Sequence, residues 1–255
     1  TAWGTIGENA GSVGTALVDG AGSAWTPTGG VTVGFGGLGT LTVSNGGNLT
    51  TAEVNLGFAA TGNGTAVVDG AGSQLNATTT IDVGVDGRGS LTISNGGSIS
   101  NDISRIGRYA SGSGSAIVTG PGSIWTMTND LVVGYDGQGD LMVSAGGAVA
   151  SGNVGTIGNS ATATGTVTVT GPGSSLQFTA GLTVGNHGSG VLTVADGAVV
   201  SAASIATAVF AGSTGTINIG AAAGAPAAAP GSLNTASIVF GLGTGSLNFN
   251  HTDPA

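Results

Sequence analysis

Short runs with apolar residues at alternate positions recur along the chain, and each run ends in Gly, Asn or Asp. Alternation with a period of 2 is typical of a strand that buries one face. No segment shows a persuasive 3.6-residue period, and Gly, at 53 of 255 residues, opposes helix formation by about 1 kcal/mol per position. The pattern therefore predicts an all-β fold built from short strands.

The runs belong to two alternating families of repeats. Segment 14–23 returns at 64–73, 114–123 and 165–174, and in part at 215–220. Segment 33–47 returns at 83–97, 133–147 and 184–198. Gly14, Gly39 and Gly64 are 25 residues apart, so the 50-residue period is a pair of related 25-residue units. Repeats of this length indicate a solenoid in which each unit contacts its neighbours.

Alignment of the units places apolar residues in four columns that are expected to face one core. In the first column Ala alternates with Leu, so small and large side chains of successive layers can interdigitate. The columns are Ala16, Leu41, Ala66, Leu91, Ala116, Leu141, Val167, Leu192 and Ile217; Val18, Val43, Val68, Ile93, Val118, Val143, Val169, Val194 and Ile219; Trp25, Leu49, Leu75, Ile99, Trp125, Val149, Leu176 and Val200; and Ile6, Val33, Leu56, Val83, Ile106, Val133, Ile157 and Val184.

The size of the unit selects the fold class. About 25 residues hold three short strands and their turns, which is one coil of a single-stranded right-handed parallel β-helix. About ten coils at ~4.8 Å each would form a rod near 50 Å long. Gly residues are expected at the corners, and Asn45, Asn95 and Asp196 are predicted to be turn residues that form a partial Asn ladder.

The repeat register divides the chain into three regions. Residues 1–219 form the regular β-helix repeats. Residues 220–231 are rich in Ala and contain Pro226 and Pro230, which disfavour a ladder strand, so an extruded loop is predicted. Residues 232–255 are predicted to form a final partial coil, truncated and with an open end.

Composition excludes several classes of protein. A net charge of −9 with three Arg and no Lys argues against nucleic acid as a partner. The absence of Cys excludes disulfides and zinc–thiolate sites. No apolar run approaches the roughly 20 residues of a spanning helix, so no membrane insertion by this segment is expected. Because the chain starts at Thr1 without Met, we expect it to be a fragment of a longer protein.

The repeats and the C-terminal segments together resemble a known family. Segments 37–47 and 87–97, the Ala/Pro-rich insert 221–230 and the ending Leu247–Asp253 resemble the repeats of bacterial autotransporter passenger domains. The resemblance implies a secreted or cell-surface β-helical stalk of a Gram-negative bacterium, anchored in the outer membrane through a C-terminal barrel in the full protein. Such passengers are commonly adhesins or self-associating proteins, and some carry an enzymatic domain.

Residues that could perform catalysis are few. Asp86 and Asp136 occupy the same position two coils apart, about 10 Å, a spacing near that of the carboxylates of an inverting glycosidase. Arg108 lies in the coil between them, so we favour an exposed ion-pair patch over a catalytic pair. The sequence predicts no catalytic residue, no metal site and no cofactor.

Two outward columns are candidates for binding. One follows a corner Gly and contains Phe35, Phe58, Arg108 and Tyr135 together with Glu8, Val85, Asn159 and Asn186. It either forms a track for a glycan or protein, with Asp86 and Asp136 nearby, or its two Phe residues form a small satellite cluster. The other column is half apolar and either pairs molecules side by side or reflects ordinary strand preference: Leu17, Thr42, Val67, Thr92, Ile117, Met142, Thr168 and Thr193.

The predicted function is a non-catalytic surface stalk that supports adhesion or self-association. The alternative is a β-helical polysaccharide-acting enzyme or a glycan-binding module. Ice binding by Thr rows is disfavoured because Leu17, Val67, Ile117 and Met142 interrupt them. The expected partners are a second copy of the chain or a surface ligand, either a host protein or a glycan.

Overall fold

The computed structural model describes residues 2–252 and consists, over that range, of 29 β-strands without a helix. The strands form three sheets in which each strand pairs in parallel with its equivalents in the adjacent coils. The predicted all-β solenoid with a repeat of about 25 residues is thereby confirmed. Thr1 and Asp253–Ala255, including the end of the predicted C-terminal coil, lie outside the described residues.

Each of the first nine coils contributes one strand to each sheet, and the tenth contributes β28 and β29 to sheets 1 and 2. Sheet 1 consists of β1 (Gly4–Ile6), β4 (Val31–Val33), β7 (Val54–Leu56), β10 (Thr80–Val83), β13 (Ile103–Ile106), β16 (Leu131–Val133), β19 (Gly155–Ile157), β22 (Leu182–Val184), β25 (Ile205–Thr207) and β28 (Ile238–Phe240). Sheet 2 consists of β2 (Val13–Asp19), β5 (Leu38–Ser44), β8 (Asn63–Asp69), β11 (Arg88–Ser94), β14 (Ser113–Thr119), β17 (Gln138–Ser144), β20 (Thr164–Thr170), β23 (Ser189–Ala195), β26 (Thr214–Gly220) and β29 (Thr244–Asn250). Sheet 3 consists of β3 (Ala24–Trp25), β6 (Asn48–Thr51), β9 (Gln74–Ala77), β12 (Ser98–Asn101), β15 (Ile124–Met127), β18 (Ala148–Ser151), β21 (Ser175–Phe178), β24 (Val199–Ser201) and β27 (Ser232–Asn234).

The core follows the four apolar columns. Leu41 pairs in register with Ala16 on one side and with Ala66 on the other, so large and small side chains alternate along the axis. Leu41 and Ala66 are fully buried, whereas Ala16 and Trp25 are only partly buried. Both of the latter lie in the first described coil, which within residues 2–252 has a neighbouring coil on one side only.

The first corner, between sheets 1 and 2, alternates between a short turn, such as 84–87, and a longer one, such as 107–112. Gly84 has a φ of 73°, a left-handed conformation that most side chains avoid. A Cβ on Gly84 would also meet the backbone of Ser113 in the next coil. The corner therefore requires Gly for its conformation and for the close approach of coils.

The second corner, between sheets 2 and 3, contains the predicted turn residues. Asn45, Asn95 and Asp196 have φ values of 52°, 52° and 54°, so the turn assignment is confirmed. The ladder assigned to these residues is wrong. Asn45 Nδ2 donates to the Asp19 carboxylate at 2.7 Å, and Asn95 does the same to Asp69, because a coil with a different corner lies between them.

Buried serines also join adjacent coils at this corner. Ser73 is fully buried; its Oγ donates to the Asp69 carbonyl at 2.6 Å and accepts from the Gly46 amide at 3.0 Å. Ser123 and Ser174 accept from Gly96 and Gly146 in the same way. One hydroxyl thus satisfies a donor and an acceptor that belong to different coils.

The Ala/Pro-rich segment takes the place of the second corner in the ninth coil. It leaves the ladder after Gly220 and returns at Ser232, the first residue of β27. On the way, the amides of Asp196 and Gly197 donate to the carbonyls of Ala229 and Pro230. Strands β27, β28 and β29 then pair with β24, β25 and β26, so the solenoid continues beyond the insert.

Candidate functional site

The first-corner row consists of the residues that follow the corner Gly, and it includes four of the six predicted binding residues. The amides of Phe58, Arg108 and Tyr135 donate to the carbonyls of Gly34, Gly84 and Gly107 one coil earlier. Phe35 lies on the coil before Phe58, so the residues form a row along the axis. Val85 differs from the expected outward display, because it is 1% exposed.

The two Phe residues at the start of the row contact each other. Their ring centroids are 4.9 Å apart and the rings are parallel to within 13°. Phe35 remains 40% exposed. The stacking corresponds to the satellite cluster that the sequence left as an alternative, since the ring faces are turned toward each other.

Arg108 forms an ion pair with a residue that the sequence did not single out as its partner. Its Nη1 donates to Asp82 Oδ2 at 2.7 Å, and Arg105 donates to both oxygens of the same carboxylate at 2.7 and 3.1 Å. Asp82 is 1% exposed although its position in β10 points outward. The expected ion-pair patch of Arg108 with Asp86 and Asp136 is therefore wrong.

The pKa of Arg105 reflects this shared carboxylate. Burial of the guanidinium disfavours its charged form, but the hydrogen bonds to Asp82 and the charge of Asp82 outweigh burial. The pKa of Arg105 is therefore raised above its ordinary value, so its guanidinium keeps its charge beside the Asp82 carboxylate. Sharing by two arginines accounts for a buried carboxylate outside the core.

Asp86 and Asp136 lie on either side of the Arg108–Tyr109 segment. The Asp136 amide donates to the Arg108 carbonyl, and the Tyr109 amide donates to the Val85 carbonyl next to Asp86. Asp86 Oδ1 accepts from Ser111 Oγ at 2.7 Å. Neither carboxylate forms an ion pair within residues 2–252.

Tyr109 is a surface residue that sequence reasoning missed. Tyr109 is 43% exposed, and the Arg108 guanidinium lies over its ring, 4.9 Å from the ring centroid. Arg105 lies 5.9 Å from the centroid of Tyr135 in the next coil. The longer corner at 107–112 could have revealed Tyr109, because it adds residues that the short corners lack.

A second aromatic pair lies farther along the same corner. The rings of His187 and Phe210 are 4.0 Å apart at their centroids and parallel to within 5°. Like Phe35 and Phe58, they belong to successive coils and stack along the solenoid axis. The corner therefore presents ring edges, more than ring faces, to solvent at both pairs.

The half-apolar outward column lies on sheet 2. Leu17 and Met142 are 66% and 44% exposed, and Val67 and Ile117 are partly exposed. A shallow depression around Ile117 and Met142 also includes Ser115, Asp140 and Thr168. This outer face of the sheet is covered by no other element of the described solenoid.

Further features of the described residues bear on chemistry. Between residues 2 and 252, no three His, Asp or Glu side chains lie close enough together to bind a metal ion. No helix in the same range is long and apolar enough to cross a membrane.

Comparisons with known proteins give one structural match. No protein-family model matches the chain, and no curated protein matches it. Among solved structures, the crystal structure of a TibC-catalysed hyper-glycosylated TibA fragment, residues 55–350, matches with a TM-score of 0.39 and 15% sequence identity. The match covers 96% of this chain and 99% of that fragment.

Proposed function

We propose that this chain is a non-catalytic β-helical stalk from the passenger of an autotransporter, exposed on the cell surface or secreted, and that it supports adhesion or self-association. The observation that carries this proposal is the ladder of sheet 2, which is continuous from β2 to β29. Such a rod separates its outward faces from an anchoring surface and displays them along its length. The family assignment rests on the repeat and insert motifs of the sequence.

The charged side chains support a structural function. Asp82 binds two arginines, and Asp19 and Asp69 each accept hydrogen bonds from a Ser and an Asn of the next coil. Hydrogen bonds from Ser44 and then Asn45 lower the pKa of Asp19 below its ordinary value. Catalytic acids generally need the opposite, a raised pKa near the working pH.

Surface display and hydrolysis assays test this proposal. The chain, fused to a heterologous outer-membrane anchor, is expected to be accessible to external protease and to increase adherence or clumping of the cells. A displayed globular domain of similar size serves as the control. Hydrolysis of a polysaccharide by the purified chain, abolished by Asp86→Asn, would contradict the non-catalytic stalk.

A glycan-binding module is the second candidate, and the exposed ring of Tyr109 favours it. Sugars stack on exposed aromatic rings and donate hydrogen bonds to carboxylates such as Asp86 and Asp136. Binding of a glycan array that is lost in Tyr109→Ala and retained in Phe210→Ala would support this candidate. Equal binding by both variants and the parent would exclude the Tyr109 surface.

A further inference from the structure

The outer face of sheet 2 is large enough to be a protein interface. Each strand from β2 to β29 spans seven residues, or about 20–23 Å, and ten strands at ~4.8 Å span about 43 Å. One copy of this face therefore covers about 900–1,000 Å², compared with about 800 Å² per partner in a standard stable interface.

The outer face of sheet 2 carries few charged side chains, so it can approach a second copy of the same chain. The chain has a net charge of −9, so two copies repel each other on average. The outward positions of the ten strands carry four charged side chains, Asp19, Asp69, Arg88 and Asp140. The other outward positions are mainly Thr, Ser, Asn and aliphatic residues, which two copies can bring together with little loss of charge solvation.

The placement of Arg88 favours one orientation of a second copy relative to the first. Arg88 is the first residue of β11 and Ser94 is the last, so they lie on opposite long edges of the face. A two-fold axis parallel to the solenoid axis exchanges these edges and keeps each coil at the same height. Arg88 of one copy then faces Ser94 of the other, whose Oγ donates to Asp69 at 2.6 Å.

The antiparallel arrangement lacks this complementarity. A two-fold axis perpendicular to the solenoid axis places the Arg88 edge on the same edge of the second copy. The residues of that edge include no acid: Val13, Leu38, Asn63, Ser113, Gln138, Thr164, Ser189, Thr214 and Thr244.

We propose that two copies of this chain pair side by side, parallel and in register, through the outer faces of sheet 2. The inference rests on the proposed stalk and specifies its partner. In this arrangement Thr65 faces Val67 and Ser115 faces Ile117 of the second copy, so methyl groups and aliphatic side chains meet along the centre. The two Arg88–Asp69 contacts at the edges fix the direction.

The first test compares two isoleucines of neighbouring strands. Ile117 lies in the centre of the sheet 2 face, whereas Ile124 points outward from sheet 3. Sedimentation of the parent chain is expected to show a dimer at micromolar concentration, Ile117→Asp a monomer and Ile124→Asp a dimer, with the same circular dichroism throughout. A monomeric parent up to several hundred micromolar, or identical behaviour of the two variants, would overturn the pairing.

The second test concerns whether the two copies are parallel or antiparallel. Arg88→Glu is expected to weaken the dimer about tenfold or more, because the introduced carboxylate would approach the carboxylate of Asp69 in the second copy. Adding Ser94→Arg to that variant restores opposite charges across the parallel interface and is expected to recover most of the affinity. Loss of affinity in Arg88→Glu without recovery in the double variant would overturn the parallel register.

Asp140 provides a variant that is expected to strengthen the dimer. Among the ten described strands of sheet 2, it is the one charged residue of the two inner columns, and Thr40 and Thr65 hold the same position in β5 and β8. Asp140→Thr is expected to tighten the dimer several-fold, and an unchanged affinity would contradict its place in the interface. These measurements use the purified chain, whereas the proposed function is tested on cells that display it. Pairing can therefore fail while surface display succeeds, and surface display can fail while pairing succeeds.

Discussion

Val118 and Ile117 are adjacent residues of β14 that experience opposite surroundings. Val118 is fully buried in the core, and Ile117 points outward from sheet 2. Period-2 alternation predicts this difference, because successive side chains of a strand point to opposite faces. The same alternation fails at Asp82, which points outward yet is 1% exposed. Its burial arises from Arg105 and Arg108 of the next coil, which no local pattern encodes.

The Val118 position gives a prediction at the residue scale. Val118→Asp is expected to lower the free energy of unfolding by about 3–5 kcal/mol, because it leaves an unpaired charge in the core. Ile117→Asp, one residue away, serves as the matched control and is expected to change the unfolding free energy of the monomer by less than about 1 kcal/mol. Urea denaturation measures both, and equal losses would contradict the assignment of the two faces.

The corners are the elements that make neighbouring coils different. Coils that end sheet 2 with Asp19 or Asp69 alternate with coils that turn through Asn45 or Asn95. The carboxylate of one coil accepts from the Asn of the next, and a buried Ser of the coil after that accepts from the Gly amide that follows the Asn. A 50-residue period therefore reflects paired corners as well as the alternation of Leu and Ala in the core.

Ser73 gives a prediction at the element scale. Ser73→Ala removes a hydroxyl that bonds both the Gly46 amide and the Asp69 carbonyl, and a loss of about 1–3 kcal/mol in unfolding free energy is expected. Ser98 lies in β12 and points outward, so Ser98→Ala is the control. Thermal or urea unfolding compares the two, and a Ser73 variant as stable as the control would contradict the role of this hydroxyl.

At the scale of the whole molecule, stability is close to a sum over coils and their interfaces. From β8 to β17, each sheet 2 strand pairs in full register with the strand of the next coil, and the second corners alternate up to the Ala/Pro-rich insert. The Ala/Pro-rich insert shows that one corner can be replaced without loss of the next coil, because the ladder resumes after the insert. A rod of this kind should tolerate loss of whole units where the two remaining neighbours still match.

Deletion of repeats gives the prediction at this scale. Deletion of residues 64–113 joins Asn63 to Gly114, keeps Leu41 next to Ala116 and shortens the rod by two coils, or about 10 Å. The product is expected to fold with a lower thermal midpoint. Deletion of residues 64–88 instead places Leu41 against Leu91 and removes Ser73, so overpacking and a lost corner bond are expected to destabilise it further. Calorimetry and small-angle scattering distinguish the two.

Equal stability of the two deletion variants would show that neighbouring units are interchangeable. The alternation of corners and core layers would then have no energetic consequence. The paired corners require that the 25-residue deletion, although it removes only one coil, is less stable than the 50-residue deletion.

The candidate surfaces show how far local pattern extends toward function. The sequence placed Phe35, Phe58, Arg108 and Tyr135 on one row, since each follows a corner Gly at the same point of the repeat. It could not show which side chains of that row turn toward each other. The stacking of Phe35 on Phe58 depends on distances between coils and on rotamers, and binding by the row remains a prediction.

By itself, the sequence determined the solenoid, its unit length, its inward columns and the turns at Asn45 and Asn95. These features follow from local backbone preference and from a repeat that places identical residues at identical points of each coil. Tertiary structure alone decided the contacts between coils: the partner of Arg108, the burial of Asp82 and Val85, and the stacking of Phe35 on Phe58. At these contacts, side chains from different coils pack together. The order of residues within one coil does not specify which of those side chains meet.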